Sequence, residues 1–222
     1  MPLNEPYRVN VLRYCDRDVP TGEQINDLFD FVVDKDLRVA LVKEYRAARY
    51  IYKLGEALNV SDEKLAAHAK FQIVQYASIY EAVIIHVLWY HFPKSPEVDE
   101  IQQFTTLRRA GSLPINFRFR EQPDQQVHLC VESKSRNPQQ SIKFDDKVRA
   151  AVALGFVSLE LGDEIKEIFR IRNGVHIENA VKKEIQYEID QSQLAYRRIQ
   201  PFTDGIRRFL ALRTCSSGST SG

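Results

Sequence analysis

The stretch FQIVQYASIYEAVIIHVLWYHF, Phe71 to Phe92, constrains this chain more than any other. It is strongly apolar, and Pro93 and Pro96 end it. Gln75, Ser78, Glu81 and His86 interrupt it, so it does not read as an uninterrupted apolar membrane span of about 20 residues. A segment of this kind is expected to be a buried helix, and the rest of the chain must supply elements to cover it.

The flanking sequence supplies them. Thr21 followed by Gln24 forms a capping-box pattern ahead of a helix near Thr21 to Val33. A second helix is expected over Lys35 to Leu58, with Leu37, Leu41, Tyr45, Ala48 and Tyr52 at three- and four-residue steps. Asn59 to Asp62 breaks it, and Ser61 caps the buried helix, which runs to about Phe92. After a short helical segment around Val98 to Arg109, the runs INFRFRE (115–121) and QVHLCVES (126–133) alternate apolar and polar residues about the turn QPDQ. They read as a β-hairpin inserted near 115–134. SKSRNPQQS then reads as a loop. Helical spacing resumes at FDDKVRAAVALGFVS and again at Asp163, where DEIKEIFRIRNGVHIENAVKKEI reads as one helix. The last helix, QLAYRRIQPFTDGIRRFLALR, carries Pro201 and Gly205 and is expected to kink or split there. The expectation is a mainly α fold: one helical bundle over 1–213 with an inserted hairpin, followed by a small polar disordered tail over 214–222.

Composition narrows the function. The formal net charge is +1, so no overall basic field marks a nucleic-acid binder, and any such contact has to use a local patch. One such patch lies between Arg108 and Arg149. There Arg108, Arg109, Arg118, Arg120, Lys134, Arg136, Lys143, Lys147 and Arg149 outnumber the acids. Phe117 and Phe119 are available for base stacking, although inward packing is the favoured reading for them. Cys15, Cys130 and Cys215 are far apart and odd in number, which argues against a disulfide framework and for a reducing, cytoplasmic home. MPLNEPYRVNVLRYCDRDV has no apolar run after a basic start, so no secretory signal is expected. His86 and His91 are five apart with no completing ligand and read as packed histidines. No metal or cofactor site is expected.

The segment FRIRNGVHIENA, Phe169 to Ala180, holds the polar groups that suggest chemistry. On a continuous helix residues four apart differ by about 40° around the axis. Arg172 and His176 would then share a face with Asn173 beside them, while Arg170, six positions from His176, would lie about 120° round. Gly174 would let another backbone or a substrate come close, at about 1 kcal/mol of helix propensity. A histidine can take the 2′-hydroxyl proton of RNA while a guanidinium stabilises charge on the phosphate, without a metal. Only RNA carries that internal nucleophile. The same spacing also suits a solvated or satisfied helix face. Glu81, a carboxylate in an apolar helix, needs a partner, either in a structural salt bridge or in an arginine of the motif helix that it would orient.

FDDKVRAAVALGFVSLELGDEIKEIFRIRNGVHI resembles the core of HEPN-domain proteins. YASIYEAVIIHVL (76–88) is similar to that family's earlier core helix, with Glu81 at the place of its acidic residue, and AYRRIQPFTDGIRRFL to its closing helix. The resemblance covers roughly 71–213. The family signature is an arginine, often followed by asparagine, with a histidine four to six residues on. Arg170 to His176 fits the spacing and Arg172–Asn173 fits the arginine–asparagine habit, so either arginine can be the phosphate-facing one. The resemblance implies a metal-independent endoribonuclease acting as a homodimer on an RNA substrate, with a place in toxin–antitoxin or antiviral defence systems and an antitoxin or other defence partner. His176, Arg172, Arg170 and Asn173 would form its site, with Glu81 in support. It equally implies an alternative, a non-catalytic module that binds a partner protein or a nucleotide.

Overall fold

The computed structural model describes residues 3–17, 19–110 and 130–217, with side chains to 213. Helices α1 (Glu5–Asp16), α2 (Gly22–Leu28), α3 (Lys35–Ala57) and α4 (Asp62–His86) come first. A π-helical turn, Val87–His91, extends α4, and α5 (Pro96–Gln102) follows. A two-stranded ribbon, β1 (Gln103–Arg109) and β2 (Cys130–Arg136), leads to α6 (Phe144–Leu154), α7 (Leu159–Arg172), α8 (Ile177–Lys182) and α9 (Ile189–Ser217). The fold is a helical bundle with an inserted antiparallel hairpin.

The local starts follow the sequence. Thr21 accepts from Gln24 N–H while the Gln24 side chain accepts from Thr21 N–H, the reciprocal cap expected of that pair. Asn59, at φ +47°, takes the left-handed conformation just past α3 that asparagine tolerates, and the chain turns there into α4.

α4 is the axis. Ile73, Tyr76, Ala77, Ile79, Tyr80, Val83 and Ile84 are buried on it. Neighbours close round them: Leu41, Tyr45 and Ala48 of α3, Ile165, Ile168 and Ile171 of α7, and Ala195, Ile199, Phe202 and Ile206 of α9. By length and composition Asp62–His91 could cross a membrane, but 61% of its apolar window is packed inside the bundle. Tyr80 Oη donates to Ala195 O at 2.6 Å and its ring meets Phe202 edge-on, centroids 5.1 Å apart. Ser192 donates to Gln72 at 2.6 Å. Each fully buried aromatic or aliphatic side chain along this seam contributes about 1.5–3 kcal/mol of apolar transfer.

Four expectations need correction. Gln103–Arg109 is a strand, not the end of a helix, and its partner strand runs through Lys134 and Arg136 into the segment expected to be a loop. QFTTLRR carries strand-forming Phe and two Thr, which outweighs continuation of α5. The hairpin expected at 115–121 with 126–133 lies outside the described residues for most of its length, Phe117, Arg118, Phe119 and Arg120 included. α9 runs through Pro201 without splitting. Thr203 Oγ1 donates to the carbonyls of Ile199 and Gln200 there, and Pro201 itself faces solvent, where a freed carbonyl is hydrated. The helix also continues to Ser217, past the residue 214 where a disordered tail was expected to begin.

Candidate functional site

The segment Phe169–Ala180 is not one helix. α7 stops at Arg172, a 3-10 turn spans Asn173–Val175, and His176 is extended (φ −75°, ψ 124°) as the residue capping α8. Arg172 and His176 therefore do not share the face of one helix, as their spacing led one to expect, because three residues of different geometry lie between them. The cause sits at Gly174. A Cβ there would lie 2.6 Å from Ile185 Cδ1 and 3.1 Å from Tyr187 Oη. The missing side chain admits residues of the α8–α9 connection, so the close approach expected at Gly174 is made by the chain itself and not by a substrate.

The turn is clamped from several sides. Lys70 of α4 donates to Val175 O at 3.2 Å and lies 5.2 Å from the Tyr187 ring centroid. Tyr187 Oη donates to Ile171 O at 3.4 Å, and Asn179 Nδ2 to Asn173 O at 3.5 Å. Lys70, Tyr187 and Ile185 went unseen in the sequence, because nothing in their local spacing marks a tertiary contact with a turn far away in the chain.

The predicted site residues are placed as follows. His176 is exposed, and its imidazole has no hydrogen-bond partner among the described residues. It opens onto a shallow surface depression with Val175, Ile177, Glu178 and Asn179. Arg172 is half-buried, its guanidinium 5.0 Å from the Phe169 ring centroid and donating to Asn173 Oδ1 at 3.3 Å. Arg172 and Asn173 are thus in contact at the end of α7. Arg170 is exposed and makes a two-pronged pair with Glu167, at 2.7 and 2.6 Å, which holds the Glu167 carboxyl below its usual range.

Among the described residues Glu81 has no hydrogen bond or ion pair with an arginine of α7; its charge is felt by Lys147 of α6. Lys147 is 3% exposed, and burial lowers its pKa while the Glu81 carboxylate opposes the shift. Lys147 is therefore an interior lysine and drops out of the basic surface patch. Arg149 pairs with Asp146 at 2.9 Å. On α9, Arg198 pairs with Glu164 at 2.6 Å, and Arg207 ties the helix to Asp30 and Asp27 O near the end of α2.

His86 is buried and its Nε2 accepts from Val33 N–H at 3.3 Å. Burial, then the neighbouring His91, pushes its pKa down. Among the described residues no group of three or more His, Cys, Asp or Glu side chains is placed to hold a metal ion.

Fold and site together define a helical bundle with an exposed histidine one turn beyond an arginine–asparagine pair. Comparison with protein-family models, with curated proteins and with solved structures finds no match to this chain.

Proposed function

We propose that this protein is a HEPN-type, metal-independent endoribonuclease of the cytoplasm, working as a homodimer in a toxin–antitoxin or antiviral defence setting. The observation that carries the reading is His176: a solvent-facing imidazole, with no hydrogen-bond partner among the described residues, on a clamped turn beside a surface depression, with Arg172 and Asn173 at the adjoining helix end. In this mechanism the imidazole accepts the 2′-hydroxyl proton and the 2′-oxygen attacks phosphorus. The bond from phosphorus to the 5′-oxygen breaks and that oxygen takes a proton from solvent water, leaving a 2′,3′-cyclic phosphate. Arg172, or Arg170 once released from Glu167, stabilises the charge that builds on the phosphate oxygens, and Asn173 orients the link. Two features favour a second copy at this surface. Ile177 and Val181 are 80% and 72% exposed, and they stand four residues apart on α8 directly after His176.

Incubation with RNA in chelator tests this reading. Wild type is expected to cleave, and His176→Ala to lose about 10²–10⁴-fold of the rate. Wild type cutting no faster than the variant ends the enzyme reading.

A non-catalytic HEPN-like module that binds a partner protein or nucleotide is favoured by one observation: both motif cations already have partners within the chain, Arg170 on Glu167 and Arg172 on Asn173 and Phe169. In that reading the exposed Ile177 and Val181 receive the partner, and no RNA is cut.

A further inference from the structure

In an antiparallel pair, directly opposed residues point to the same face. The register puts Gln103/Arg136, Thr105/Lys134, Leu107/Glu132 and Arg109/Cys130 on one face of the ribbon. Phe104/Ser135, Thr106/Ser133 and Arg108/Val131 lie on the other. Every residue of the first face is exposed, and the half-buried members of the ribbon, Thr106, Ser133 and Ser135, all belong to the second. The first face therefore looks away from the bundle. It adds little to the core, and a two-stranded ribbon is marginal by itself, so this face is not explained by stability.

Its charge is distinctive in a chain whose net charge is +1. Arg109, Lys134 and Arg136 stand against the single carboxylate of Glu132. Arg136 is tied to Asp99 of α5, whereas Arg109 and Lys134 have no ion pair with any described residue. Strands rise about 3.4 Å per residue, so the three cations lie along a line of roughly 20 Å and do not converge on a point. A compact anion would gather such groups around itself; a line of separate positive charges fits a strand of successive phosphates. Leu107, 70% exposed on the same face, offers an apolar contact for a ribose or base between them.

We infer that this outward ribbon face docks the backbone of single-stranded RNA. The choice of RNA rests on the ribonuclease reading; the surface rests on the ribbon's own geometry. The probe is a fluorescein-labelled mixed-sequence RNA, 2′-O-methylated throughout so that it cannot be cut, titrated with the full chain at several salt concentrations. Arg109→Ala with Lys134→Ala is expected to weaken binding at least tenfold at low salt. The slope of log affinity against log salt should shrink by about 0.7 for each cation removed. Glu132→Lys is expected to tighten binding several-fold, a gain that misfolding cannot imitate. Arg197→Ala with Arg208→Ala, exposed residues of α9, is expected to leave affinity unchanged.

An unchanged affinity and slope in the ribbon variants overturns the proposal, as does an equal loss in the α9 control. Ribbon-dependent binding of a poly-glutamate peptide as tight as that of RNA overturns it too, by assigning the face to an acidic protein. The two readings separate cleanly. Binding that depends on the ribbon without any cleavage of unmodified RNA sinks the ribonuclease and keeps this surface. Cleavage with ribbon-independent affinity does the reverse.

Discussion

Along the α4–α9 seam, Tyr80 and Ser192 are bonded across it, to Ala195 and Gln72, and large side chains such as Phe202 are fully buried. The α7–α8 turn is held from behind by longer bonds from Lys70, Tyr187 and Asn179, and its outer side presents an imidazole with no hydrogen-bond partner among the described residues and bare Ile177 and Val181. A seam needs complementary surfaces within one chain. The turn is complementary to nothing described in this one, and an outward surface held in a fixed shape is what a substrate or a second copy requires. The difference separates residues whose loss costs stability from those whose loss costs function.

The comparison can be broken in several places. Phe202→Ala should destabilise the fold by about 3–5 kcal/mol in denaturant unfolding, since it removes a fully buried ring from the α4–α9 seam. A loss under 1 kcal/mol would mean the seam is not packed as described. Gly174→Val ranks next. Its side chain would collide with Ile185, and overpacking of this kind costs about 1–3 kcal/mol. If the variant melts like wild type, the clamp behind the turn is not there.

Acid should sharpen the picture at His86. The unfolded chain takes up a proton near pH 6.5, while the folded chain holds His86 neutral to a lower pH because it is buried and lies beside His91. The stabilisation is complete above about pH 6.5 and is lost as pH falls towards the lowered folded value. Melting temperature should therefore decline between pH 7 and pH 5, and His86→Gln, which can still accept from Val33, should flatten that decline. A parallel decline in the variant would assign the pH effect elsewhere. Smallest of all is Arg170→Ala. Its pair with Glu167 is exposed, and such pairs contribute about 0–1 kcal/mol, so the melting midpoint should hardly move. A large drop would place Arg170 in the framework and not at the surface.

Much of the framework was legible in the sequence because it follows from local periodicity and caps. The apolar run of α4, the Thr21–Gln24 box and the break at Asn59 each state their structure within a few residues. β1 was not legible. One of its faces looks wholly to solvent and the other is only half covered, so burial imposes no apolar–polar alternation on it, and only the composition of QFTTLRR hinted at a strand. The motif was half legible. Its residue types named a chemistry, but the end of α7 is decided by Ile185 and Tyr187 arriving at Gly174 from the far side of α8, which no helical wheel contains. Lys147 failed for a similar reason: its burial between helices is a tertiary fact, invisible in a count of basic residues.

The most direct test of the account is the chemical form of the cut ends. Unmodified RNA is incubated with the wild-type chain in excess chelator and the fragments are weighed by mass spectrometry. Wild type is expected to yield 2′,3′-cyclic phosphate termini, or their opened monophosphates, and His176→Ala about 10²–10⁴-fold fewer in the same time. Fragments ending in a free 3′-hydroxyl, or intact RNA in both samples, would contradict it.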